Sequence, residues 1–582
     1  MEQLFNIDGI DYQFTSEEDL KISFEKQSET ECISLYRLQM DFGRSVCPKP
    51  VTLYYRIPCR NMYGIWDPRT RTRYLPFGLS QKQVTESRLA YGMPLKGLYS
   101  KDGLNSYLLS LSDVKTAMTL NMGASERTGE IHIQVVFFPK ASGPFTVYET
   151  LLRADRRPLP FDEAILDTRA WFDSLGYHTA PSPALTKLPM YSTWYSLWQT
   201  VTAREVLREC REAVKYGMKT VIIDDGWQTD KAGQIYAYCG DWQPSYRKFR
   251  DMRGLVEKLH GMGLSVMLWF SVPFVGYKAK RHAEFAGMYL HDLDSCRCSV
   301  LDPRFPKVRT FLTETYVKAV KEWDLDGLKL DFIDRFVTNG EVKEGMDFVS
   351  VEDATERLLL EVTEALRAIK PDMMIEFRQP YFGPVIGAYG NMIRVWDCPL
   401  DGGTNQIQTL NLRLISGNCA VHSDMIYWHP DDTPEGVAVQ LLGTLFSVPQ
   451  ISARFGESTK EQKEVLKHYL AFWNDHRDTL MEGKLSVRFA SSGYGYASSV
   501  LGGEKISLAV DRNTFEMEET LTAGYLFNLT DEKEILLKTA KGTSLFYEVF
   551  DCRGKRLTRK RRVKAPLSEI SVPLGGMLKV SR

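Results

Sequence analysis

The sequence predicts a multidomain α/β plus β protein: a central (β/α)8 TIM barrel flanked by an N-terminal β-sandwich and a C-terminal antiparallel β-sandwich. From about 188 to 478, short apolar runs alternate with helical patterns, as in a parallel α/β unit. On either side, strand-like runs recur between turns. The chain of 582 residues also exceeds one hydrophobic core, because single cores stop growing near roughly 250–300 residues. The expected units are 1–180, 181–478 and 479–582.

In the first unit the β-like runs include Gly9-Ile10-Asp11-Tyr12-Gln13-Phe14, Val51-Thr52-Leu53-Tyr54-Tyr55-Arg56 and the run 131–138. A helical stretch near 162–175 and the segment Pro181-Ser182-Pro183 form the hinge into the second unit. There the strand candidates are 190–194, 219–224, 264–270, 326–331, 372–377, 392–396, 418–422 and 444–450. Helical patterns at 202–216, 251–262, 305–322, 351–369 and 459–475 stand between most of them. Eight strands in about 290 residues suit a (β/α)8 barrel. A doubly wound sheet is the alternative, but the glycine-rich turns that bind dinucleotides or phosphates are missing. The third unit returns to strands at 485–489, 506–510, 524–527 and 545–550.

Composition narrows the partners. Lys+Arg 73 against Asp+Glu 74 leaves a net charge of -1, which offers no footprint for nucleic acid or an anionic membrane. The basic run Arg559-Lys560-Arg561-Arg562 reads as a solvated turn. Eleven tryptophans within 12% aromatic residues suit a protein that stacks sugar faces on indoles. The N-terminal residues lack a signal-peptide pattern and no run is long enough to span a bilayer, so a cytoplasmic location is expected. Ten scattered cysteines are too sparse for a disulfide scaffold, and Cys296-Arg297-Cys298 reads as an ordinary loop.

Chemistry in a barrel sits where its strands end. The fourth candidate strand, Asp326-Gly327-Leu328-Lys329-Leu330-Asp331, puts Lys329 and Asp331 on one face and Leu328 and Leu330 on the other. A nearby lysine keeps a carboxylate ionised, and an ionised carboxylate can act as a nucleophile. The second strand ends in Asp224-Asp225-Gly226-Trp227-Gln228. Two acids beside an indole can accept hydrogen bonds from a polyol while the ring packs on its carbon face; a helix N-cap is the plainer reading.

After the sixth strand come Arg394-Val395-Trp396-Asp397 and then Asp401. A second carboxylate across from Asp331 is what glycoside chemistry requires, and either Asp397 or Asp401 fits, with Arg394 contacting substrate or tuning a carboxylate. A magnesium site built on Asp224, Asp225, Asp331 and Asp334 is disfavoured by Lys329 among them. The histidines, His422 included, form no zinc-binding cluster.

At these residues the chain resembles the α-galactosidase clan of glycoside hydrolases, most closely family 36. The resemblance covers the whole architecture. It is carried by Asp224-Asp225-Gly226-Trp227-Gln228, Gly240-Asp241-Trp242 with Lys248-Phe249, Leu268-Trp269-Phe270, Leu301-Asp302-Pro303 and Lys329-Leu330-Asp331. It implies that Asp331 is the nucleophile and Asp397 the acid/base. Lys329, Asp224 and Asp225 then hold sugar hydroxyls, and Trp194, Trp227 and Trp269 wall the pocket. It further implies retaining hydrolysis of terminal α-galactosides, no metal or organic cofactor, a small carbohydrate substrate and a possible homo-oligomer. Related specificities, such as α-N-acetylgalactosaminide or β-L-arabinopyranoside, and a non-catalytic carbohydrate-binding barrel remain as alternatives. Two segments depart from the family pattern: Ser271-Val272-Pro273 after the third strand, and Glu376-Phe377-Arg378-Gln379-Pro380-Tyr381 after the fifth. Glu376 and Arg378 bring new charges near the site, and the departure implies that a different substituent is to be expected there.

Overall fold

Six apolar side chains make the floor of the barrel: Met190, Ile222, Met267, Met374, Met392 and Ala420, all fully buried and packed on one another. Each comes from a different strand of an eight-stranded parallel sheet. In chain order the strands are Met190–Ser192, Thr220–Ile223, Ser265–Ser271, Gly327–Asp331, Met374–Arg378, Met392–Arg394, Ala420–His422 and Gln450–Ile451. Parallel bridges from His422 to Val448 and from Ile426 to Ile451 close the ring. At floor level the fourth strand has Gly327, opposite Met267 and Met374. A Cβ there would come within 2.7 Å of the Met374 Cβ, so only glycine lets the strands close at this point. This computed structural model describes residues 1–69, 74–80, 83–337, 340–488, 490–542, 544–564 and 566–582.

Side chains that alternate with the floor residues, such as Val221, Leu268, Leu328, Leu330 and Phe377, turn outward into the main core beneath the helices. The helices Ala203–Ala213, Met252–His260, Pro306–Trp323, Val351–Ile369, Gly402–Ile415, Pro434–Leu442 and Lys460–Asp475 follow the strands. Thr202, Asp251, Ser350, Asp401, Thr433 and Thr459 each accept a backbone N–H at a helix start, the role these short polar side chains fill best. One expected strand is displaced. The run 444–450 begins as turns, with Thr444 and Leu445 donating back to Leu441 and Leu442, so the eighth strand starts only at Gln450. An apolar run that follows a buried helix carries no periodicity to separate turn from strand.

Before the barrel lie two six-stranded sheets, and after it a seven-stranded and a three-stranded sheet. In the last two, Glu504–Ala509 pairs parallel with Ala523–Asn528, and Thr514–Met517 with Glu534–Thr539. The strand expected over 485–489 runs Lys484–Arg488; Phe489 lies outside the described residues. Trp66 ties all three units together, its Nε1 donating to Asn411 Oδ1 on a barrel helix and to Tyr494 Oη, each at 3.0 Å. Among the described residues, no helix is long and apolar enough to cross a membrane.

Candidate active site

Two residues beyond the floor, the inward faces of the first seven strands carry Ser192, Asp224, Trp269, Lys329, Glu376, Arg394 and His422, as the strand period of two requires. All are buried, and buried charge has to be paired. Lys329 Nζ donates to Asp224 Oδ2 at 2.7 Å. Arg394 donates to Asp424 and, through Nη2, to Asp397 Oδ1 at 2.8 Å. Glu376 accepts from Gln450 Nε2, and burial pushes its carboxyl up to about 7 against the pull of Lys329 and Arg394. Among the described residues its Oε1 has no hydrogen-bond partner, and neither does the Arg394 Nε that faces it in an ion pair at 3.9 Å. His422 bonds Thr186 O at 2.7 Å, and burial holds it neutral, down at about 3.

One level higher, Asp331 collects four donors. Its Oδ1 accepts from Arg378 Nε and Tyr381 Oη, both at 2.7 Å, and from the Phe332 N–H at 2.9 Å; among the described residues Oδ2 accepts only Trp269 Nε1, at 3.0 Å. Burial works to raise this carboxyl, but Arg378, then Lys329 and the hydrogen bonds, hold it well below the usual carboxylate range. Its direct cation is therefore Arg378 rather than the expected Lys329, which is committed to Asp224. Phe332 sits at φ +68°, an uncommon conformation for an aromatic residue, fixed by stacking on Phe274 at 4.7 Å and packing against Tyr236 at 5.0 Å.

The Asp224-Asp225 pair is not a helix cap. Asp225 is buried and takes Gln199 Nε2 and Gln228 Nε2, each at 2.7 Å; burial raises its carboxyl to about 6 against those two bonds. Gly226, at φ +112°, then turns the chain, and a Cβ there would strike the Gln199 backbone at 2.7 Å. That turn sends Trp227 inward. Its indole is 0% exposed, donates Nε1 to Trp269 O at 2.8 Å and packs on Trp242, Phe270 and Trp323. Trp227 is thus a core residue with no face for a ligand, contrary to expectation. Trp269 is buried too, reaching the site through its Nε1 rather than its ring face. Trp194 stacks at 4.1 Å on Trp198, which is 52% exposed.

The two acids left open after the sixth strand differ. Asp401 caps a helix, accepting Thr404 N at 2.9 Å, and is exposed. Asp397 is drawn toward the site by Arg394, with 44% of its side chain exposed. Against the burial that would raise it, Arg394, Arg378 and Lys329 lower its pKa. Sequence reasoning missed Tyr381 as a donor to Asp331, and it missed Asp424. Asp424 accepts Tyr195 Oη at 2.9 Å and Cys398 N at 2.7 Å, and burial lifts it to about 6 despite Arg394. The period-two series Ala420, His422, Asp424 signals it once the seventh strand is continued. A cavity of about 280 Å³, lined by Tyr195, Leu400, Tyr427, Trp428 and Arg454 among others, adjoins this side. Among the described residues no group of three or more His, Cys, Asp or Glu side chains is arranged to hold a metal ion.

No family model matches the chain. Among curated proteins, α-galactosidase 2 of Pediococcus pentosaceus is 25% identical over 167 residues, a match spanning 28% of this chain and 23% of that protein. Solved structures align far more widely. The α-galactosidase of Lactobacillus brevis superposes with a TM-score of 0.62 at 14% identity, covering 99% of this chain and 80% of that one. A GH36 α-galactosidase variant from Geobacillus stearothermophilus, in complex with raffinose, gives 0.63 at 14%, covering 98% and 81%. The chain has the fold of the GH36 α-galactosidases. A third example of that α-galactosidase fold, from Thermus thermophilus in complex with p-nitrophenyl α-D-galactopyranoside, gives 0.53 at 17%, covering 81% of this chain and 94% of that one.

Proposed function

We propose that the chain is a divergent member of glycoside hydrolase family 36 that removes a terminal α-galactosyl or closely related α-glycosyl residue with retention of configuration. Asp331 carries this reading: a carboxylate at a barrel strand's end, kept ionised by Arg378, with Oδ2 engaged by a single donor among the described residues. Oδ2 attacks the anomeric carbon as the bond to the leaving oxygen breaks, giving a β-glycosyl ester. Asp397 gives its proton to that oxygen, then takes one from the water that cleaves the ester. A sugar closing over Asp397 removes solvent, and desolvation raises a carboxyl toward the protonated form that the first step needs. Asp224, Asp225 and Lys329 hold hydroxyls, and Trp194 offers a stacking face. Two carboxyl groups supply nucleophile and proton, so the reaction asks for no cofactor.

A panel of aryl glycosides with the purified protein tests this, followed by mass spectrometry of a trapped fluorosugar adduct. Retaining hydrolysis of an α-glycoside and an adduct on the peptide that contains Asp331 are expected. Binding of the sugar without turnover or adduct would leave a carbohydrate-binding barrel instead.

A further inference from the structure

Three buried cations stand at the carboxyl ends of the strands, and they differ in what they are paired with. Lys329 is bonded to Asp224. Arg394 is shared by Asp397 and Asp424. Arg378 alone, among the described residues, has the reacting carboxylate of Asp331 as its one ion-pair partner.

The Arg378 guanidinium is also held rigidly. Its Cζ lies 5.0 Å from the Phe332 ring centroid and 5.5 Å from that of Tyr381. Nε is on Asp331 and Nη1 donates to Gln379 O at 2.8 Å. Among the described residues Nη2 makes no hydrogen bond, and 10% of the side chain stays exposed.

Attack by Asp331 converts its carboxylate into a neutral ester. The guanidinium keeps its charge, with Asp397 and Asp334 acting on it only from beyond ion-pair distance, and a buried charge that loses its direct partner is strongly disfavoured. A neutral sugar brings nothing to replace the lost anion. A sugar bearing its own negative group at Nη2 does, and its attraction grows as Asp331 gives up charge, so the gain falls on the transition state. A carboxylate or sulfate oxygen can accept from Nη2 in a charge-assisted hydrogen bond.

Resting on the hydrolase reading above, we propose that the sugar cleaved at this site carries an anionic substituent, recognised by Arg378. The bond changes are those of ordinary retaining hydrolysis. The leaving oxygen takes the acid's proton, water supplies the hydroxyl that releases the sugar from Asp331, and the anionic group is unchanged.

The test compares p-nitrophenyl α-D-galactopyranoside, the corresponding galacturonide and the galactoside 6-sulfate, in the full-length protein and in Arg378→Gln and Arg378→Lys. Calorimetric titration with galactose and galacturonic acid runs beside it. At least a tenfold higher kcat/KM for one of the anionic glycosides is expected, carried mainly by kcat. Arg378→Gln should erase that preference and Arg378→Lys keep part of it, with folding of both checked by thermal unfolding. Which of the two anions is preferred distinguishes a uronic acid from a sulfated sugar. If the neutral galactoside is cleaved as well as or better than both anions, the hydrolase reading stands and the anionic substrate is overturned. If nothing is cleaved, but galacturonic acid binds more tightly than galactose and Arg378→Gln removes the difference, the hydrolase reading falls and anion recognition stands. No turnover and no binding preference would overturn both.

Discussion

Arg394 Nη2 lies 2.8 Å from Asp397 Oδ1 while its Nη1 holds Asp424, so one guanidinium serves two carboxyl groups pulled in opposite directions. Asp397, near three cations, is held down; Asp424, wholly buried, is pushed up to about 6. Interacting sites of this kind titrate as a unit. Asp397 is the one with solvent access, which suits it to the acid/base role proposed for it. Asp397→Ala should lower kcat/KM by about 100-fold or more for alkyl glycosides, spare p-nitrophenyl glycosides in the first step, and regain turnover with azide. Asp401→Ala should leave the rates alone and cost about 1 kcal/mol in unfolding free energy through the lost helix cap. The reverse pattern would transfer the acid/base role to Asp401.

Asp331→Ala should reduce turnover of an activated aryl glycoside by at least about a thousandfold. It also strands Arg378, which costs roughly 3–5 kcal/mol of stability where a buried pair is broken. Asp331→Asn separates the two effects, since the amide oxygen still accepts a hydrogen bond; it should unfold closer to wild type yet remain inactive. Tyr381→Phe removes one of three donors on Oδ1. The expected result is a loss of about 1 kcal/mol of stability and a modest change in rate. Full activity in Asp331→Asn, measured on the same substrate, would remove Asp331 from the chemistry.

Trp227 and Trp194 should respond to substitution in opposite ways. Trp227 is 0% exposed among Trp242, Phe270 and Trp323, so Trp227→Phe should lower stability by about 1–3 kcal/mol with KM little changed. Trp194→Ala should raise KM several-fold while stability moves by less than about 1 kcal/mol. A raised KM in Trp227→Phe at unchanged stability would return that indole to the pocket.

Much of this architecture was legible in the residue pattern, because strand period two is strict. The fourth strand's alternation does place Lys329 and Asp331 on one inward face. The pattern could not say which cation meets Asp331. That depends on the fifth strand pairing in register beside the fourth, with Lys329 opposite Glu376, and on Arg378 reaching across. Trp227 was misread because its direction is set by the backbone turn at Gly226, φ +112°, which composition does not reveal. Asp424 was overlooked because it lies two residues beyond the strand's last regular pair.

Glu376 opposes Asp331 in its effect on stability. Asp331, held low, adds stability above the unfolded-state carboxylate range and loses it only in strong acid. Glu376 is raised from 4.5 to about 7, so between those values the folded chain binds a proton that the unfolded chain has released. Stability therefore falls as pH rises through that window, and Asp225 and Asp424, each raised from 3.8 to about 6, add to the same slope. Glu376→Gln keeps the shape and still accepts from Gln450, but it has no proton to release. Relative to wild type it should gain on the order of 3 kcal/mol between pH 4.5 and 7.5, seen as a flatter plot of melting temperature against pH. A slope unchanged by the substitution would mean that Glu376 is ionised throughout, its charge carried by Lys329 and Arg394.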